Sequence, residues 1–312
     1  MNEQALGELG VEVWRGSVNT WECDQMGHMN VRFYVARAME GLAGVAAALG
    51  LPGAFRPHAQ ATLIVQDHHI RFVREARAGD PLVMRAGVVA MEESSARLLQ
   101  LLFHAGSGEL AATFQTVVVH ATTREERAFP WPRIAREMAQ GLLVDVPDRA
   151  QPRSLTLDPP AGAASLTQAD RLGLIPLASG AFAVGDCDVF GRVNAEHLIG
   201  RVADGVPVLA GSLSGRTAPA PANLGGAVLE YRLAYAAWPG PGDRYAVRSG
   251  LISFDDRIQR LAHWVLDPDT GEPWATSEAV AVSLDLAARK IVPMTDDTKT
   301  RLAERVIPGL SL

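Results

Sequence analysis

The sequence predicts an α+β protein made of two copies of one domain, each a long central helix wrapped by an antiparallel β-sheet. Three observations carry this. Between Val31 and Leu49 the only charges are Arg32, Arg37 and Glu40, so a helix there is apolar on most faces and should be enclosed. Strand-like segments follow, broken at Gly79-Asp80-Pro81 and Gly106-Ser107-Gly108, and one long helix ahead of a run of antiparallel strands is an α+β order. The two cysteines, Cys23 and Cys187, each precede an aspartate, and setting Asp24 on Asp188 gives an offset of 188 − 24 = 164 that also places Gly27 on Gly191 and Asn30 on Asn194. Downstream, Gly79-Asp80 meets Gly242-Asp243 and Gly108-Glu109 meets Gly271-Glu272 at an offset of 242 − 79 = 163, with Thr113 on Thr276 and Pro130 on Pro293. A drift of one residue over such a length is the signature of a duplicated domain.

In the first copy, Val11 to Val18 alternates apolar and polar residues as a half-buried strand does. The helix from Val31 is stopped by Gly50-Leu51-Pro52-Gly53. Strands are expected at Ala61–Gln66, His68–Glu75, Leu82–Met91, Ala96–His104 and Ala111–Ala121. Pro132 to Leu142 reads as a short helix opened by proline, and Thr295 to Val306 repeats it after the second copy. That copy is expected to hold a helix over Ala195–Val206, broken early by Gly205 and Pro207, then strands at Ala227–Tyr235, Arg244–Phe254, Arg260–Leu266 and Ala275–Leu284. A polar, alanine-rich connector with Pro147, Pro152, Pro159 and Pro160 separates the copies, and Ser165 with Gln168 fits a capping box for a small helix entering the second. The domains are therefore placed at 1–145 and 179–312, joined by 146–178.

At 312 residues, 48% hydrophobic and 21% charged, the chain is long enough for two sizeable cores. A net charge of -6 argues against a general nucleic-acid or anionic-membrane surface. The start, Met1 to Ala5, has neither the basic nor the apolar region of a signal peptide, and no charge-free run of about 18 apolar residues suggests a span, so the expectation is a soluble, cytoplasmic protein. Two cysteines make neither a disulfide framework nor a zinc cluster.

Strand, Asp-x-x-Gly-His-x-Asn loop, enclosed helix and meandering sheet together resemble the hot-dog thioesterases of the 4-hydroxybenzoyl-CoA thioesterase type, here as a tandem double hot-dog. Asp24, Gly27, His28, Asn30, Tyr34 and Glu40 match that family's pattern, while Met29 replaces its usual valine and Val31 its second asparagine. In the second copy Asp188, Gly191 and Asn194 match, but Arg192 stands at the histidine, Leu198 at the tyrosine and Asp204 at the glutamate. The resemblance implies hydrolysis of an acyl-CoA thioester, with the active residues mainly in the N-terminal copy, no metal or redox cofactor, and an internal pseudo-dimer able to associate further. Plant acyl-ACP thioesterases are similar tandem chains whose second copy is the catalytic one, so an acyl-carrier protein is the alternative substrate carrier.

Thioester hydrolysis needs a nucleophile or base beside the carbonyl carbon and donors where the oxyanion develops. Asp24 can supply the first and backbone N–H groups around Gly27 the second; a loop carboxylate fixing a turn is the structural alternative for Asp24. Asn30 and Asn194, each directly before a helix, are also explained as N-caps. His28 either contacts substrate or is a hydrogen-bonded loop histidine. Glu40, on an apolar helix, is either an acid/base group for the dimer-related site or one half of a buried ion pair with an arginine. Cys23 should face away from Asp24 by strand alternation, and His68-His69 lacks the further ligands of a metal site. Arg71, Arg74 and Arg77 could meet a CoA phosphate or form a solvated strand edge. Two rivals share the fold. Enoyl-thioester hydratases and dehydratases place aspartate and histidine five apart rather than four, and a non-catalytic acyl-thioester binder would need no base at all.

Overall fold

The computed structural model describes residues 6–159, 164–214 and 223–312. Two compact units divide it: Met1–Pro152 with Cys187–Glu196, and Arg153–Asp186 with His197–Leu312. The first copy contains β1 (Val11–Ser17), α1 (Val31–Ala48), β2 (Ala61–Phe72), β3 (Pro81–Met91), β4 (Ser95–His104), β5 (Leu110–Thr122) and α2 (Arg133–Gln140). After α3 (Leu166–Arg171), the second contains β6 (Ile175–Ala181), α4 (Ala195–Ser214), β7 (Leu224–Tyr235), β8 (Arg244–Phe254), β9 (Ile258–Leu266), β10 (Pro273–Asp285), the short β11 (Lys290–Ile291) and α5 (Asp296–Ala303). The repeat holds in three dimensions: shifted by 175 − 11 = 164 residues β1 falls on β6, and shifted by 224 − 61 = 163 the bounds of β2, β3, β5 and α2 fall on those of β7, β8, β10 and α5.

Within the first copy the antiparallel order is β1-β3-β4-β5-β2, and within the second β6-β8-β9-β10-β7, with β11 on β10. The expected pair of strands Ala61–Gln66 and His68–Glu75 is one strand, β2, because a bulge between Val65 and Asp67 absorbs Gln66 without ending the ladder to β5. Strand β6, absent from the sequence reading, is too small-residue-rich (Ile175-Pro176-Leu177-Ala178-Ser179-Gly180-Ala181) to show an alternation, and it forms by pairing with β8.

Helix α1 begins where the Asn30 side chain accepts the Arg32 N–H (3.0 Å) and ends at Gly50, whose φ of 78° lets its N–H reach the Ala47 carbonyl while Leu51 N–H reaches Ala46. Tyr34, Val35, Ala38, Gly41, Leu42, Val45 and Ala46 form its buried face. Glu40, Ala43 and Ala47 form an exposed stripe, so the helix is less enclosed than its composition suggests. Alanine is apolar in the sequence yet loses little by facing water, and periodicity alone cannot assign it a side. From β4, Gln100 donates to the Ala38 carbonyl (2.8 Å) and accepts from Thr116 (3.0 Å), a buried polar link between helix and sheet.

Helix α4 does not break at Gly205 and Pro207 as expected but runs on to Ser214. Val202, Gly205, Leu209 and Leu213 are buried at helical spacing on both sides of the proline, which itself faces solvent. A proline inside a helix costs about 3 kcal/mol, and burying two leucines recovers about that much. The capping box before α3 is only half made: Ser165 Oγ accepts Gln168 N–H (3.2 Å), but the Gln168 side chain turns to Arg171 (2.9 Å). Among the described residues no helix is long and apolar enough to cross a membrane.

Two measurements probe these interiors. A methyl group added at Gly44 would lie 2.4 Å from the Val13 carbonyl oxygen, so Gly44→Ala should lose about 1–3 kcal/mol in urea unfolding, outweighing the roughly 1 kcal/mol helix-propensity gain. Gly211→Ala in α4, with open space around the new methyl, should instead stabilise. Burial pushes His68 down to about 3 and His263 to about 4, from 6.5. The unfolded chain therefore binds protons that the folded chain refuses, so stability rises with pH across the window from about 4 to about 6.5 and falls on acidification. His263→Gln should flatten that slope in pH-resolved denaturation.

Candidate active site

The two loops ahead of α1 and α4 are built by the same bonds. Asp24 Oδ1 accepts the N–H groups of Met26 (2.8 Å) and His28 (3.2 Å), and Asp188 Oδ1 accepts those of Phe190 (2.8 Å) and Arg192 (3.0 Å). Asp24 N–H donates to the His28 carbonyl and Gly27 N–H to the Asp24 carbonyl, matched by Asp188 to Arg192 and Gly191 to Asp188. Gly27 and Gly191 sit at φ 78° and 82°, a left-handed conformation that closes the turn at no side-chain cost. One carboxylate oxygen of each aspartate is thus committed to loop geometry. Gly27 N–H is committed too, and among the described residues the loop's unbonded amides are those of Gln25 and Val31.

An ion pair ties each loop to its helix, with its acid buried in the first copy and partly buried in the second. Glu22, 2% exposed, is ion-paired to Arg37 of α1, and its other oxygen accepts the Asn19 N–H (2.8 Å). Arg37 also pairs with Glu40 and lies over the Trp14 ring, whose indole N–H donates to Glu40. At an offset of 186 − 22 = 164, Asp186 pairs with Arg201 (3.1 Å), accepts the Ala183 N–H (2.9 Å) and lies 3.0 Å from His197 Nδ1, while Asp204 stands 3.9 Å from Arg201. Sequence reasoning missed Glu22, Asp186 and the role of the two arginines. The signal was available, since the repeat offset sets acid on acid and arginine on arginine.

The expected site residues separate accordingly. Asp24, Gly27 and His28 share one loop, and Asn30 caps the helix that follows. Glu40 is exposed and turned to other partners, pairing with Arg37 and Trp14. In the second loop, Asp188 and Gly191 repeat the turn, and Asn194 stands directly before α4. Next to it Glu196 is largely buried, with an Oε2 that has no hydrogen bond; burial raises its pKa, with Arg32 and Arg37 opposing and Glu40 adding to the rise.

At the fourth position after the aspartate the copies diverge. His28 is buried, its Nε2 lying 3.5 Å from Glu75, and it meets Asp24 through its backbone N–H and carbonyl. The segment after β2 supports it: Met29 N–H donates to the Ala76 carbonyl (2.8 Å), and Ala76 N–H to the buried Tyr34 hydroxyl (3.1 Å). Burial pushes the Tyr34 hydroxyl pKa up. Arg192 instead turns back on its own aspartate, with Nε 3.1 Å and Nη2 2.9 Å from Asp188 Oδ2. Asp24 Oδ2 accepts no hydrogen bond among the described residues.

Other sequence candidates have internal partners. Cys23 Sγ faces the Asn19 carbonyl (3.7 Å). Arg71 donates to the Asp148 and Gln151 carbonyls, Arg74 pairs with Glu109 (2.8 Å), and Arg77 approaches Glu75 (3.8 Å). His68 and His69 are both buried within β2.

A long helix on an antiparallel sheet, present twice, each time preceded by an aspartate turn, defines a tandem hot-dog protein. The chain belongs to the thioesterase-like superfamily, whose family profile matches residues 18–142 and 182–302, and it is a thioester hydrolase. It is similar in fold to a putative oleoyl thioesterase from Lactobacillus plantarum (TM-score 0.65, 15% identity, covering 89% of this chain and 99% of that one). Similar too are a 12:0-ACP thioesterase from Umbellularia californica (0.63, 14%, 91% and 98%) and an acyl-ACP thioesterase from Bacteroides thetaiotaomicron (0.63, 14%, 90% and 100%). No curated protein sequence matches the chain.

The ion-pair brace predicts its own failure. Arg37→Ala strands Glu22 in the interior without a counter-charge, so it should cost about 3–5 kcal/mol of unfolding free energy, and Glu22→Gln in the same chain should recover part of it. An Arg37→Ala protein as stable as the parent in guanidinium titration would contradict the brace.

Proposed function

We propose that the protein hydrolyses an acyl-CoA thioester to free acid and CoA, using the loop Asp24, Gly27, His28 of the N-terminal domain (1–145), while the C-terminal domain (179–312) beyond the 146–178 connector is catalytically silent. One observation carries this reading. Asp24 is fixed through one carboxylate oxygen and leaves the other without a hydrogen bond among the described residues, whereas both oxygens of Asp188 are engaged.

Asp24 Oδ2 acts as the nucleophile or as the base that takes a proton from water. As base, Asp24 takes a proton from water, the water oxygen forms the new C–O bond at the thioester carbonyl, the C–S bond breaks and the proton passes to the leaving thiolate. As nucleophile, Asp24 forms a mixed anhydride as the C–S bond breaks, and water then hydrolyses the anhydride and supplies the thiolate's proton. Developing negative charge on the carbonyl oxygen is met by backbone N–H groups of the Gly27 region, with Gln25 and Val31 holding the uncommitted ones. His28 packs the loop against Glu75, Asn30 keeps the helix start in place, and Glu40 enters through Arg37. Full-length similarity to acyl-ACP thioesterases supports a second reading in which a carrier protein replaces CoA in the same chemistry.

Thiol release measured over panels of acyl-CoA and acyl-ACP tests both. Asp24→Asn should lower the rate about 100-fold or more, and Asp188→Asn should leave most of it. Equal losses from the two changes would sink the single-active-copy assignment, and no thiol release from any thioester would sink the hydrolase. Crotonyl-CoA losing its enoyl absorbance without thiol release would point to the hydratase instead.

A further inference from the structure

We infer that Arg192 is the lock that silences the second loop, and that a catalytic carboxylate survives intact beneath it at Asp188. The inference rests on the hydrolase reading above and adds to it the residue that decides which copy works.

Asp188 is saturated. Its Oδ1 accepts two backbone N–H groups, and its Oδ2 accepts two guanidinium N–H groups from Arg192, at 3.1 and 2.9 Å. A carboxylate held by a charge-assisted pair of this kind is neither a nucleophile nor a ready proton acceptor. Arg192 is itself held in place: its side chain is 11% exposed, its guanidinium lies 5.0 Å over the Phe190 ring, and Glu126 Oε1 stands 3.8 Å from Nη1. Glu126 is presented from a left-handed backbone conformation (φ 53°), one of only two such non-glycine positions among the described residues. Asp188, Phe190, Arg192 and Glu126 all lie in the same compact unit.

The loop does not need the arginine for its shape. The same turn forms around Asp24, where every shared bond comes from the backbone or from Oδ1, and where His28 leaves Oδ2 unbonded. Exchange of one side chain at this position should therefore move activity between copies without rebuilding either loop. Removing Arg192 does set the Asp188 and Glu126 carboxylates against each other: burial raises the Glu126 pKa, Arg192 opposes that rise and Asp188 adds to it. Neutralising Glu126 relieves that repulsion.

Thiol release is compared among wild type, Asp24→Asn, Asp24→Asn/Arg192→His, the same with Glu126→Gln, and that last variant with Asp188→Asn, each checked for folding by circular dichroism. The expected result is recovery of about 10-fold or more over Asp24→Asn when Arg192 is replaced, lost again when Asp188→Asn is added. The converse change, His28→Arg in the wild-type chain, should lower kcat about 100-fold with KM little changed, because the new guanidinium occupies Asp24 Oδ2 rather than the thioester site. An active wild type whose folded Arg192 variants stay at the Asp24→Asn level, with or without Glu126→Gln, overturns the lock alone. Recovery that persists after Asp188→Asn also overturns it. A wild type releasing no thiol overturns the hydrolase reading and the lock together.

Discussion

The arrangement depends first on an ion pair that fastens each aspartate loop to the helix behind it. Glu22 with Arg37, and Asp186 with Arg201, link the turn before the loop to the second turn of α1 and of α4. Each acid joins an arginine of the helix, and the same carboxylate also accepts a backbone N–H at the end of the preceding strand segment. Loop, strand and helix are therefore positioned by one group. Such pairs contribute little net stability over an apolar replacement, but they define one geometry, which is what a site on a loop requires.

On that base the loop fixes itself. One aspartate oxygen gathers two backbone N–H groups, a left-handed glycine closes the turn, and an identical set of bonds recurs in both copies. The second aspartate oxygen is left to the residue four positions later. Histidine there packs toward Glu75, whereas arginine is long enough to fold back and close on the carboxylate. A single side-chain length thus separates two otherwise equivalent turns.

Much of this could be read from the chain. The duplication, the order of helix and strands, Asn30 as a cap and the aspartate turn all follow from local signals: spacing, glycine placement, apolar runs and an offset that keeps charge types in register. Misreadings arose where local signals are weak or overruled. Pro207 looked like a helix end, but burial of Leu209 and Leu213 beyond it carries α4 through. Gln66 looked like a strand break and is a bulge, because pairing with β5 continues past it. Alanines at 43 and 47 looked interior and face solvent.

Sequence by itself determined that there are two copies, that each places an aspartate, a glycine and an asparagine before a helix, and that His28 and Arg192 distinguish them. These are properties of spacing and residue type, which survive without coordinates. Only the tertiary structure decided that Glu22 is buried against Arg37, that Glu40 is exposed beside the same arginine, and that Arg192 closes on Asp188 with Glu126 at its other side. Each of these depends on where side chains distant in sequence come to rest, and the strength of a charge interaction is set by that distance and by the water it excludes.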